Sequence, residues 1–288
     1  MIKIVLHCLP NELDQVSWII DQLRRSSKFV DPSKFILDFT LNVSAEDINW
    51  KKSILTKEYC IDKFNSFFQK SPFNNQHKIS EIQTGCNTVR RNAIRTKDNT
   101  DHIIYLDTDL FFPDTILYYI EQAINEVKTK YYIITPQIFQ LWDSSWDIIS
   151  HPDYRNKPRE NKQWLQNPYQ VFEHEPTDIK LLKSPYIKFG GGWFNVFSKN
   201  LLELVDIPDS LGHYGLDDTF VSASCNILKE NNYDIQQYIL NDIIVKEDRV
   251  YRSYNMEKYI YRNNNQDIMR DNSSINYQKE LINFRNRI

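Results

Sequence analysis

The chain has 288 residues, a formal net charge of −3, 41 % hydrophobic and 14 % aromatic residues, and only six glycines. That length suits one large α/β domain or two small ones, and the near-balanced charge offers no broad basic field for nucleic acid. The four cysteines, Cys8, Cys60, Cys86 and Cys225, form no CxxC pair, which excludes the usual zinc and disulfide frameworks and suits a reducing, cytoplasmic setting.

Residues 2–9 read as an apolar run, which predicts a strand covered on both faces. The run is too short for a signal peptide, and no stretch approaches the roughly 20 apolar residues of a membrane helix, so a soluble protein without a transmembrane anchor is expected. Pro10-Asn11-Glu12 breaks the strand. Asn11 suits an N-cap, and Glu12 and Asp14 suit the positive end of a helix. Leu13, Val16, Ile19, Ile20 and Leu23 then recur at helical spacing, predicting a helix over about 12–25. A second strand is expected over 34–43. The resulting β-α-β unit implies a parallel sheet with a right-handed crossover.

Residues 46–70 read as mostly helical and 79–82 as a short strand. Residues 85–95 read as a turn and then a helix carrying Arg90, Arg91 and Arg95. The next strand is 103–106, the next helix 113–127, and a further strand 131–135 is expected to close at Pro136. This alternation is that of a doubly wound α/β half. At its centre, strand 103–106 runs into Asp107-Thr108-Asp109 before Leu110, Phe111 and Phe112 return to the core. Charged residues are rarely buried unless paired or metal-bound. Carboxylates at i and i+2 point the same way and offer hard oxygen ligands to a divalent cation. The same two acids also suit a simple turn before the Pro113 helix.

Residues 137–182 are polar and proline-interrupted, with Trp142, Trp146, Tyr154, Trp164 and Tyr169 as either a satellite core or a sugar-stacking lip. Five of the six glycines fall between 190 and 215. Gly190-Gly191-Gly192 precedes Trp193 and a strand, and glycine admits close approach of a ligand or another backbone. Ser198-Lys199-Asn200 leads into a helix. Gly212-His213-Tyr214-Gly215-Leu216-Asp217-Asp218 then opens another over about 220–229, where two acids also suit a helix start. The tail, 230–288, is rich in Asn, Tyr and Arg and shows no repeat.

Taken in order, Leu9-Pro10-Asn11-Glu12, Gly85 with Arg91-Asn92, Asp107-Thr108-Asp109, Gly190 to Trp193 and Tyr214-Gly215-Leu216-Asp217-Asp218 resemble a GT-A fold glycosyltransferase of the family-2 type over roughly residues 1–228. The resemblance implies an α/β fold: a central, mostly parallel, Rossmann-like sheet flanked by helices, with an irregular acceptor-side insertion and a helical tail. One domain over 1–288 is implied, with a nucleotide-sugar half (1–135), an acceptor-side half (136–230) and a C-terminal extension (231–288). Asp109 would hold Mn²⁺ or Mg²⁺ on the donor diphosphate, with Asp107 reaching the ribose or a metal-bound water. Pro10 and Glu12 would line the base and ribose pocket, and Arg91 would approach the nucleotide. Gly191, Gly192 and Trp193 would face donor sugar and acceptor. Asp218 would be the general base of an inverting transfer to an acceptor hydroxyl, and Asp217 would hold the acceptor.

The chain departs from that pattern in three places, one of them a Gly85-to-Arg91 spacing that is one residue longer than the pattern's. Strand 34–43 ends Asp38-Phe39-Thr40-Leu41-Asn42 without an Asp-rich, Ser-containing turn, leaving Asp38 and Asn42 as the residues for the base. No histidine follows His213, so Asp242, Glu247, Asp248 or a water would supply any further metal ligand. His7, His77, His102, His151 and His174 make no ligand spacing and read as structural. The partners implied are a UDP- or GDP-type sugar and a glycan or other hydroxyl acceptor. A nucleotidyltransferase of related fold is the second enzyme reading, although residues 1–30 hold no glycine for a phosphate loop. A sugar-binding module that kept the fold is the non-enzymatic one.

Overall fold

The first strand, β1 (Ile2–Cys8), sends Ile2, Ile4, Leu6 and Cys8 into one apolar layer and Val5 into another. A strand buried on both faces carries apolar side chains at successive positions rather than alternating ones. The structure, a computed structural model, describes residues 1–139, 172, 174–184, 187, 194–247, 256–263 and 265–288. The aromatic run from Trp142 to Tyr169 and residues 190–193 lie outside the described residues.

The strands continue as β2 (Phe35–Asn42), β3 (Asn74–Asn75), β4 (Lys78–Ser80), β5 (His102–Leu106), β6 (Leu110–Phe111), β7 (Tyr131–Phe139), β8 (Lys180–Lys183), β9 (Phe194–Ser198) and β10 (Ile235–Glu247). They form one mixed sheet in the order β3-β2-β1-β5-β9-β7-β10-β6, with β4 also on β2 and β8 also on β10. β1 runs parallel to β2 and β5, while β9 is antiparallel to both β5 and β7.

The flanking helices are α1 (Leu13–Ser26), α2 (Lys57–Phe68), α3 (Cys86–Arg95), α4 (Ile116–Glu126), α5 (Lys199–Val205), α6 (Asp217–Glu230) and α7 (Gln266–Arg287). Val16, Ile19 and Ile20 of α1, Phe64 and Phe68 of α2, and Ile116 and Ile120 of α4 fill the first layer. Val89 and Ala93 of α3, Leu201 and Leu202 of α5, Phe220 of α6 and Phe284 of α7 fill the second. The sheet is thus covered on both faces.

Three elements differ from the sequence expectation. Only 57–68 of the 46–70 segment is helical. Residues 44–56 turn instead: the Ser44 carbonyl accepts the N–H groups of Asp47 and Ile48, and Asn49 and Ile54 donate to the carbonyls of Tyr261 and Tyr259. β7 runs on through Pro136 to Phe139. Pro136, which has no N–H to give, lies opposite Leu240, where β10 shifts register before Ile244. β10 itself lies inside the sheet, within a stretch that shows no strand periodicity in the sequence.

Candidate functional site

Because β1, β2 and β5 are parallel, their carboxyl ends share one edge of the sheet. Ligands of open α/β sheets bind in the crevice outside such ends. Pro10 opens a 3-10 turn directly after β1, and the Glu12 carboxylate closes it by accepting the Leu9 N–H at 2.7 Å. At the end of β2, Asn42 donates to the Asp47 carboxylate at 2.7 Å and to the Thr84 carbonyl at 2.6 Å. Its own side-chain oxygen accepts the Ser44 N–H.

Asp38 does not reach this edge, contrary to the expectation. It pairs with Val5 four residues before β2 ends, about 13 Å short at 3.3 Å per residue. Its carboxylate lies 3.5 Å from the Lys78 ammonium. Asn42, Ser44 and Asp47 stand at the strand end instead.

Asp107 and Asp109 occupy the step between β5 and β6; Asp107 is half-buried and Asp109 buried. A third charged residue joins them that the motif reading passed over. Arg90, on α3, is buried and forks between two acids: it donates to Asp107 Oδ1 at 2.9 Å and to Asp217 Oδ2 at 2.7 Å. Its guanidinium also lies 4.9 Å from the centre of the Tyr105 ring. Isolating a charge from water costs several kcal/mol unless partners compensate it, and Asp107 and Asp217 do so for Arg90. A buried arginine one helix position from the expected one leaves no trace in composition; its signal is the pair of distant acids that must neutralise it.

Arg91 turns elsewhere, and this corrects its expected place at the nucleotide. Successive residues of a helix point about 100° apart. Arg91 donates to the carbonyls of Ile207, Pro208 and Gly212. Asn87 adds bonds to the carbonyls of Leu211 and Gly215. Gly85, just before α3, packs so closely that an added Cβ would lie 2.0 Å from the His213 carbonyl oxygen. One face of α3 therefore fixes the loop that delivers Asp217 and Asp218. Gly215 and Leu216 both take positive φ, 91° and 60°, immediately before α6 begins at Asp217.

The two acids of α6 are not equivalent. The Asp217 side chain is only 4 % exposed and is spent on Arg90, so it holds the arginine rather than an acceptor. Asp218 accepts the Thr219 N–H at 2.7 Å. Burial pushes its pKa from 3.8 up to about 7, with Asp217 adding to the rise and Arg90 opposing it.

Among the described residues no group of three His, Cys, Asp or Glu side chains could hold a metal ion. Asp107 and Asp109 nevertheless fit the way Mg²⁺ is commonly held, by one or two carboxylates together with substrate phosphates and water. Asp242, expected as a further ligand, is committed elsewhere. Its carboxylate accepts His174 at 2.9 Å and the Thr177 N–H at 2.7 Å, and its backbone takes φ 62°. Glu247 pairs with Leu110, the residue after Asp109. Asp248 lies outside the described residues, as do Gly191, Gly192 and Trp193.

Two groups at this edge escaped the motif reading. His7, near the end of β1, is pushed down to about 4 by burial against a hydrogen bond to the Thr84 backbone, with Arg90 and Arg262 adding to the fall. Arg262 is half-buried and has no hydrogen-bond or carboxylate partner among the described residues. Its segment is held over the end of β2 by the Ile48–Arg262 bridge and by Asn263, which donates to the carbonyls of Ala45, Glu46 and Asp47.

No protein-family model matches the chain, and no curated protein sequence does. Solved structures match it in fold. The mannosyltransferase PcManGT from Pyrobaculum calidifontis, solved with GDP-Man and Mn²⁺, aligns over 88 % of this chain and 58 % of its own, with a TM-score of 0.52 and 11 % identity. S. aureus TarS 1-349 aligns over 83 % of this chain and 60 % of its own, with a TM-score of 0.46 and 11 % identity. Glucosyl-3-phosphoglycerate synthase from Mycobacterium tuberculosis aligns over 86 % and 72 %, with a TM-score of 0.44 and 13 % identity. The chain thus spans about three fifths of the length of the first two. The likeness to the mannosyltransferase establishes a GT-A arrangement of sheet and helices.

Proposed function

We propose that the chain is a glycosyltransferase that moves a sugar from a nucleoside-diphosphate donor to an acceptor hydroxyl with inversion. One observation carries the reading: at the carboxyl edge of a GT-A sheet, a buried arginine ties the acid pair after β5 to the acid pair opening α6. The donor side is Asp107 and Asp109, with Pro10, Glu12 and the Asn42–Asp47 cluster beside them for the nucleoside. Asp109 and Asp107 would hold Mn²⁺ or Mg²⁺, which when bound acts as a Lewis acid on the departing diphosphate.

The rest is done by the chain. Asp218 accepts the proton of the acceptor hydroxyl; a base titrating near the working pH balances availability against strength. Asp217 holds Arg90, and Arg90 holds Asp107. The fold relative bound to GDP-Man and Mn²⁺ supports a nucleoside-diphosphate sugar and a divalent cation here. No helix among the described residues is long and apolar enough to cross a membrane, and all four cysteines are free, which supports work in a reducing compartment such as the cytoplasm.

The test is a thermal-shift titration with UDP, GDP, CDP and dTDP, each with and without Mn²⁺. A ligand that binds only the folded state adds about 2.7 kcal/mol at 100 times its dissociation constant. One diphosphate should stabilise the protein with metal, and Asp109→Asn should remove the metal-dependent part. Full sugar transfer by both Asp109→Asn and Asp218→Asn would overturn the reading, as would the failure of every diphosphate.

A further inference from the structure

Helix α7 docks through one face, on which Ser273 and Phe284 are buried and Tyr277, Leu281 and Ile288 pack against the second apolar layer. The opposite face carries Ile268, Ile275 and Ile282, exposed by 61, 75 and 59 %. Single exposed isoleucines are ordinary. These three recur every seven residues, and seven residues fall only about 20° short of two full turns. They therefore line up along about 21 Å of helix at 1.5 Å per residue. That is the spacing of a helix–helix seam.

The charges beside the line choose the occupant. Asp271 and Lys279 lie on the same exposed face, four residues either side of Ile275, and neither has an ion-pair partner among the described residues. When two copies of α7 lie antiparallel about a two-fold axis at Ile275, each residue stands level with the one equally far beyond Ile275 in the second copy. Ile275 then meets Ile275, and Ile268 meets Ile282. Asp271 meets Lys279 twice over, and Asn272 meets Gln278. Parallel pairing would instead set Asp271 against Asp271 and Lys279 against Lys279. A self-complementary patch is what an isologous two-fold interface requires.

We propose that this face of α7 is a homodimer interface, two copies pairing their helices antiparallel about Ile275. One pair of 22-residue helices buries less than the roughly 1,200–2,000 Å² of a standard stable interface. The dimer is accordingly reversible and dissociates at micromolar concentrations.

Sedimentation velocity of the full chain over about 1 to 200 µM, a range chosen to bracket a micromolar dissociation constant, tests it. The expected result is a concentration-dependent monomer–dimer equilibrium. Asp271→Lys should weaken it roughly tenfold or more by placing like charges opposite each other. The double variant Asp271→Lys with Lys279→Asp should restore it, because the pair is only reversed. Ile275→Glu should leave a monomer whose unfolding midpoint equals that of the wild-type monomer, which separates loss of pairing from loss of folding. A chain monomeric throughout overturns the proposal. So does a dimer that survives Ile275→Glu or a double reversal that fails to rescue, and so does binding of α7 to anionic phosphatidylserine vesicles without self-association.

Discussion

Arg90 donates to Asp217 at 2.7 Å, joining residues 127 apart in the sequence, and its second NH₂ group reaches Asp107 at 2.9 Å. One guanidinium therefore ties the end of β5 to the start of α6. Removing one partner of a buried ion pair leaves the other uncompensated and typically costs about 3–5 kcal/mol. Arg90→Gln should lower the unfolding free energy measured in urea by an amount in that range, moving the midpoint down in proportion. Arg90→Lys should recover only part, because an ammonium cannot fork between two carboxylates as a guanidinium does. An unchanged midpoint in Arg90→Gln would show that the fork contributes nothing to stability.

Asp218 predicts two pH effects of opposite use. A base with a pKa of about 7 is protonated and idle below that pH, so kcat/KM should rise with pH through about 7. For stability the sign reverses. The folded pKa is raised above the ordinary 3.8, so folding favours the protonated acid. That contribution is complete below the unfolded value and is lost as pH climbs from about 4 to about 7. Asp218→Asn should flatten this decline and reduce kcat by about 10²–10⁴. A variant whose stability falls as steeply over that window as the parent would rule Asp218 out as the titrating group.

Two glycines predict different penalties for the same change. An alanine at 85 would drive its Cβ to 2.0 Å from a backbone carbonyl oxygen, which cannot swing aside. Gly212, at φ 69°, has nothing within 4 Å of an added Cβ. Gly212→Ala should cost only the penalty of its backbone conformation, φ 69° and ψ −143°, a region nearly reserved for glycine and worth about 1–3 kcal/mol. Gly85→Ala should cost more and should displace the 211–215 loop. Calorimetry of both variants decides; equal costs would mean that the close approach of Gly85 to His213 is unimportant.

Arg262 predicts a binding effect. A half-buried cation without a carboxylate partner among the described residues, at the edge where β1 and β2 end, suits a phosphate oxygen. Arg262→Ala should weaken nucleoside-diphosphate binding about tenfold, the scale of one charge-assisted hydrogen bond, while changing nucleoside binding little. Calorimetric titration with UDP or GDP and the matching nucleoside measures both. Equal loss for the two ligands would move Arg262 away from the phosphates.

What the sequence discloses follows from which interactions are local. β1, β2 and β5 are legible because each is an apolar run, and α1 because its apolar positions recur at helical spacing. β10 is hidden because Gln236, Gln237, Asn241 and Asp242 interrupt it. They are tolerated through long-range bonds, such as Gln237 to Thr135 and Asn241 to the Asp178 carbonyl. Residues 46–56 look helical in isolation, and backbone pairing with residues 259–263 overrides that preference. The acid pairs at the site are readable as motifs. The Arg90 fork is not, because adjacent arginines share one motif while their side chains leave α3 in different directions.

The placement of β10 also sets an order of events. It pairs with β6, β7 and β8 at once, residues 259–263 then clasp the 44–55 turns, and Ser273 of α7 accepts the task of holding the Leu211 and Tyr214 carbonyls. A nascent chain emerging from the ribosome can form the β1–β2 pair early, since the two strands are close in sequence and precede the others. It cannot close the sheet or fix the loop that aims Asp218 until well over four fifths of these residues have been made. Non-local pairing of this kind is intrinsically slow. Until it is complete, the edges of β6, β7 and β8 stand open, and that interval is when the chain most needs protection from aggregation.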